Sequence, residues 1–208
     1  MSTNLDALRI AVLGYGSLMR QVHAPFSKIP LCRTSTWALA PFKLPIDYLQ
    51  LAFANTRKAK LALVIHEDSP LRPVWYTFSC YGSLAHARAN LAAREETQIL
   101  EHIPFIIRDY HSTDKYICSF KYKGWKGNLG KLPEKYIYEI VQWAQDNSID
   151  AVIWASFTAN ITRTQAKELL ISNPIILKNT QDYIKKVPME TPNEFEQAVL
   201  SNTLENIP

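Results

Sequence analysis

The chain has 208 residues, of which 47% are hydrophobic and 20% charged, and it carries a formal net charge of +4. These proportions are typical of a folded globular protein and argue against an intrinsically disordered one. No apolar run approaches the roughly 18 residues of a membrane-spanning helix, and no basic region followed by an apolar stretch opens the chain. We therefore expect a single cytoplasmic domain without a membrane partner.

The first half of the chain predicts four strands followed by a helix. Alternating or continuous apolar runs bounded by turn residues predict the strands, and the stretch up to Pro45 is expected to be irregular because it contains prolines. Ser83 is a good N-cap for a segment rich in Ala, Leu, Arg and Glu, and Pro104 is expected to stop that helix. The strands are predicted over residues 8–13, 48–54, 60–66 and 73–80, and the helix over residues 83–100.

The second half predicts strands mixed with helices, which together with the first half indicates an α+β fold. We expect a mixed, curved or barrel-like β-sheet with flanking helices. Residues 1–160 should form the core and residues 161–208 a C-terminal helical extension packed on the same domain. The strands are predicted over residues 105–108, 116–122 and 149–157, and the helices over residues 133–147, 164–171, 175–185 and 193–201.

The most informative motif is Gly14-Tyr15-Gly16-Ser17-Leu18, which ends the first strand. Glycines there allow a sharp turn and close approach of a ligand, and successive N–H groups in such a turn can hold a carboxylate or a phosphate. A dinucleotide fingerprint is disfavoured because Met19 occupies the third glycine position. A turn that merely ends a buried strand is the structural alternative.

The same motif, at the end of an N-terminal strand, resembles the substrate loop of the gamma-glutamylcyclotransferase-like superfamily. Downstream, Arg94-Glu95 near the end of an Ala/Leu-rich segment is similar to the position of the family's catalytic glutamate. Two motifs in the expected order carry this resemblance, which extends over about the first 155 residues. It implies a barrel-like α+β core, a small-molecule γ-glutamyl substrate, and neither metal nor cofactor. It also implies that Gly14, Tyr15, Gly16, Ser17 and Leu18 bind the substrate.

In the predicted helix, Glu95 shares a face with Ala87 and Leu91, whereas Glu96 lies about 100° further round. A carboxylate in an apolar stripe loses hydration, which raises its pKa towards the range of a general base. The structural alternative is an ion pair of Glu95 with Arg88, or with Arg94 or Arg57.

The resemblance implies cyclisation of a γ-glutamyl amide to 5-oxoproline. The amides of residues 15–18 would hold the α-carboxylate, and Glu95 would take a proton from the α-ammonium and pass it to the departing amine. Tyr15 or Ser17 would add a hydroxyl donor for the oxyanion. A non-catalytic protein that binds small carboxylates on the same fold is the alternative function.

Other classes of site are disfavoured by the sequence. Lys121, Lys123 and Lys126 interleave with Tyr122 and Trp125, as in a nucleic-acid patch, but the rest of the chain adds no basic stripe. The five histidines show no ligand spacing typical of a metal site. The sequence leaves the oligomeric state open.

Overall fold

The computed structural model describes residues 7–16, 18, 37–53, 59–95, 97–111, 116–186 and 192–206. Among these residues, four strands precede the first α-helix, as predicted. The strands are β1 (Ile10–Gly14), β2 (Ala38–Phe53), β3 (Ala59–Ile65), β4 (Leu71–Phe78), β5 (Phe105–Arg108), β6 (Phe120–Tyr122), β7 (Trp125–Asn128) and β8 (Ala151–Ile153). The helices are α1 (Leu84–Arg94), α2 (Glu134–Asp146), α3 (Arg163–Ser172), α4 (Pro174–Ile184) and α5 (Glu194–Ser201).

The described strands form one mixed sheet in the order β3-β2-β4-β1-β8-β5-β7-β6. β1 and β8 pair in parallel and every other neighbouring pair is antiparallel. The α+β class with a mixed sheet is therefore confirmed. The barrel-like alternative is wrong, because the sheet is not closed into a barrel and β3 and β6 remain its two edges.

Both faces of the central strand β1 are covered, and all five of its residues are buried. Ile10 and Val12 belong to the apolar cluster that contains Leu91 of α1, whereas Ala11 and Leu13 belong to the cluster that contains residues of α2, α4 and α5. This two-sided burial explains why β1 reads as a continuous apolar run. No described helix is long and apolar enough to cross a membrane.

Several predicted strands are shorter in the structure and β7 was not predicted, and the two largest differences, at the start of β2 and the end of α1, each have a physical reason. β2 begins at Ala38 although we expected an irregular stretch up to Pro45. Pro41 is accommodated because the register between β2 and β4 shifts between Leu39 and Lys43, and such irregularities tolerate a residue that cannot donate to the ladder.

The second error concerns α1, which ends at Arg94 rather than near residue 100. The buried side chain of Arg88 donates from Nε to the carbonyl of Ile103 and from Nη2 to the carbonyl of Leu100. These bonds hold residues 100–103 against the side of α1, a position that they could not occupy if the helix continued to residue 100. Helix propensity alone does not register this long-range interaction.

Candidate functional site

The end of β1 makes a turn that only glycine fits. Gly16 has a φ of +67°, in the left-handed region, and a Cβ there would lie 2.5 Å from Oη of Tyr183. A Cβ on Gly14 would lie 2.4 Å from the ring of Trp37. Gly16 is therefore favoured by its backbone conformation and by a close neighbour, and Gly14 by a close neighbour alone.

Tyr15, between these glycines, is buried and donates a hydrogen bond from Oη to the carbonyl of Ala155, at 2.5 Å. Burial raises the pKa of Tyr15 well above its usual value, and the negative charge of Glu95 and the phenol of Tyr183 raise it further. The phenol therefore stays protonated at neutral pH, with its proton directed at Ala155. This engagement argues against the expected role of Tyr15 as a donor to an oxyanion.

Glu95 lies immediately after the last residue of α1, and its N–H donates to the carbonyl of Leu91 at 3.0 Å. The prediction that the helix continues to about residue 100 is wrong, because α1 ends at Arg94 and Glu95 is its half-buried C-cap. Arg88, one of the ion-pair partners expected for Glu95, donates to backbone carbonyls. Leu91 belongs to the same apolar cluster as Leu18 of the turn.

The remaining residues of the motif differ in what the structure says of them. Leu18 is buried, at 3% exposure, and packs with Leu84 and Leu91 of α1. Its side chain therefore anchors the end of the turn in the core, which leaves its backbone as the part that could face a ligand. Ser17, and likewise Arg57 and Glu96, lie outside the described residues.

Sequence reasoning missed the contribution of α4 to this region. Tyr183 is buried with its hydroxyl against Gly16, and the ammonium of Lys60 on β3 lies 4.7 Å from the centre of its ring. No local pattern signals this arrangement, because Tyr183 lies far downstream of the glycine turn in the chain and meets it only through the packing of α4 on β3.

The lysine-rich hairpin of β6 and β7 offers little to a nucleic acid. Lys121 and Lys126 form ion pairs with Asp109, at 2.9 Å and 3.5 Å, and Trp125 is fully buried. Asp109 offsets one of these two positive charges, and the buried indole of Trp125 is not available to stack on a base. Among the described residues, no three His, Cys, Asp or Glu side chains are grouped as a metal ion would need.

Compared with family models, with curated proteins and with solved structures, the chain matches none of them. Among the described residues, Leu18 of the turn packs in one apolar cluster with Leu84 and Leu91 of α1, and Tyr183 of α4 lies against Gly16.

Proposed function

We propose that the protein is a gamma-glutamylcyclotransferase-like lyase, which cyclises a γ-glutamyl amide to 5-oxoproline and releases an amine. Glu95 is the general acid and base, and residues 14–18 are the substrate loop. The observation that carries this proposal is that Leu18 of the turn shares an apolar cluster with Leu91 of α1, whose carbonyl accepts the N–H of Glu95. A carboxylate beside a bend of backbone donors is the pair of groups that this chemistry needs.

The reaction moves two protons from the α-nitrogen to the departing nitrogen and exchanges one C–N bond for another. The α-ammonium of the substrate gives a proton to the Glu95 carboxylate, and the freed amine attacks the γ-carbonyl carbon. Glu95 returns that proton to the departing nitrogen as the original C–N bond breaks. The second proton then passes from the ring nitrogen to the released amine, which leaves as an ammonium ion. Because the attack is intramolecular, holding the substrate folded supplies much of the rate enhancement.

Tyr15 has a positioning role in this scheme. Its hydrogen bond to Ala155 joins the turn to the segment after β8. Because its pKa is raised, the phenol stays uncharged and adds no negative charge to that of Glu95. Donors for the oxyanion come instead from the turn's own amides or from Ser17.

The proposal is tested by incubating the protein with a panel of γ-glutamyl amides and measuring 5-oxoproline. We expect turnover of at least one amide, and a loss of about 100-fold or more in Glu95→Gln, as is usual when a general acid or base is removed. Glu101→Gln, which removes an exposed acid shortly after α1, is the matched control and should keep full activity.

The outcomes separate the two functions considered for this fold. Full activity in Glu95→Gln removes this residue from the mechanism. Tight binding of a γ-glutamyl amide without any 5-oxoproline from the parent protein favours the non-catalytic carboxylate-binding protein instead.

A further inference from the structure

A cavity with a volume of about 430 Å³ lies where β2, the β3–β4 connection and the start of α3 meet. Its lining shares no residue with the group formed by Tyr15, Gly16, Glu95 and Tyr183. Its volume lies within the range of small-molecule sites, about 300 to 1,000 Å³, towards the lower end. The cavity can therefore hold a small ligand independently of the proposed catalytic site.

Asp47 supplies a buried carboxylate to this cavity, at 3% exposure. Its Oδ1 accepts a hydrogen bond from the N–H of Tyr48 at 2.9 Å. The guanidinium groups of Arg72 and Arg163 lie at 3.7 Å and 3.8 Å from its oxygens, longer than a hydrogen bond. Oδ2 therefore keeps room to accept a closer donor.

Negative charge exceeds positive charge in the cavity. Asp47 and Asp68 line it together with Arg163 and His66. Arg72, behind the wall, is engaged by Glu196 at 2.8 Å and so compensates Asp47 only in part. A ligand that pairs with both carboxylates and with the guanidinium carries a positive group for the former and a negative group for the latter.

Two further features of the lining fit a small zwitterion. The hydroxyl of Ser69 is buried and has no hydrogen-bond partner within the described part of the chain, so it is available to a polar ligand. Leu49, Ala159 and Ile161 form an apolar part of the wall that can accept an aliphatic side chain.

We propose that this cavity binds a zwitterionic α-amino acid. The ammonium lies between Asp47 and Asp68, the carboxylate meets Arg163, and the side chain packs on the apolar wall. The proposal is independent of the cyclisation reaction, because it concerns binding at residues that the reaction does not use.

The test is binding to the full chain, measured by thermal shift and by titration calorimetry. The common L-amino acids are added singly at millimolar concentration, with n-butylamine and butyrate as probes of one charge each. We expect at least one amino acid to raise Tm and to release heat of binding, and neither single-charge probe to do so. Asp68→Asn and Arg163→Gln, both at exposed positions, should each weaken that affinity by about tenfold or more.

Two controls keep this test separate from the proposed reaction. Glu67→Gln removes an exposed acid next to Asp68 that does not line the cavity, and Glu95→Gln stops the proposed reaction without removing the turn; both should bind the amino acid as the parent does. The proposal is overturned if no amino acid binds, if n-butylamine alone binds equally well, or if Asp68→Asn and Arg163→Gln leave the affinity unchanged.

Discussion

Replacing Gly16 by alanine probes the turn on which the proposed site depends. The backbone there has a φ of +67°, which costs an L-residue about 1–2 kcal/mol. The new Cβ would also lie 2.5 Å from Oη of Tyr183, so the buried tyrosine must shift. Forcing extra volume into a packed core costs about 1–3 kcal/mol, so the free energy of unfolding should fall by about 2–5 kcal/mol in Gly16→Ala.

Gly124 provides a matched control, because its φ is +78° and a Cβ there would meet nothing within 4 Å. Gly124→Ala should therefore lose only the backbone contribution, about 1–2 kcal/mol. Tyr183→Phe removes the hydroxyl that the new Cβ meets. Gly16→Ala should therefore lower the free energy of unfolding less in a Tyr183→Phe background than in the parent protein.

Urea unfolding of all these variants gives the free energies, with equal m-values showing that two-state unfolding is retained. Equal losses in Gly16→Ala and Gly124→Ala would refute the close approach of Tyr183 to the turn. A loss from Gly16→Ala that is the same in the Tyr183→Phe background would also refute it.

Three further predictions concern buried charges and the phenol of Tyr15. Burial raises the pKa of Tyr15 above its unfolded value of about 10. The protonated phenol therefore stabilises the fold fully below that pH, and this stabilisation is lost as the pH rises further. Tyr15→Phe should show a shallower loss of stability at alkaline pH in urea unfolding, and a pH profile identical to that of the parent would contradict this. Glu95→Gln removes a charge that raises the same pKa, so tyrosinate absorbance should reveal a lower pKa for one tyrosine, an effect absent when Tyr15 is phenylalanine. Glu196→Ala leaves buried Arg72 without its partner at 2.8 Å and should lower the free energy of unfolding by about 3–5 kcal/mol. The control Glu194→Ala, at an exposed position, should leave it nearly unchanged. Equal losses in urea unfolding of the two variants would show that the ion pair is not the cause.

Most elements of the fold could be predicted from local patterns. The strand over β1 is a continuous apolar run, and Asn193 and Thr162 are N-cap residues that mark helix starts through side-chain bonds to the following turn. The start of β2 could not be found this way, because Pro41 looks like a strand breaker unless the bulge that accommodates it is known. Whether the sheet closes into a barrel depends on whether its two edge strands, β3 and β6, pair with each other. No local sequence pattern specifies such a pairing.

The site was predictable only in its most local part. The glycine turn follows from two glycines after an apolar strand, and the resemblance singled out Glu95. The environment of Glu95 could not be predicted, because α1 ends at Arg94 and the chain beyond it is held by bonds from Arg88 to carbonyls well downstream. Tyr183 meets Gly16 through tertiary packing alone, so its place in the region has no counterpart in local sequence.

The most direct measurement of the central claim is a single-turnover experiment with excess protein and a γ-glutamyl amide identified from the panel. Bound substrate and 5-oxoproline are quantified together for the parent protein and for Glu95→Gln. If the turn binds and Glu95 reacts, the parent converts its bound substrate, whereas the variant binds the amide with similar affinity and leaves it intact. Conversion at equal rates in both proteins would contradict the account.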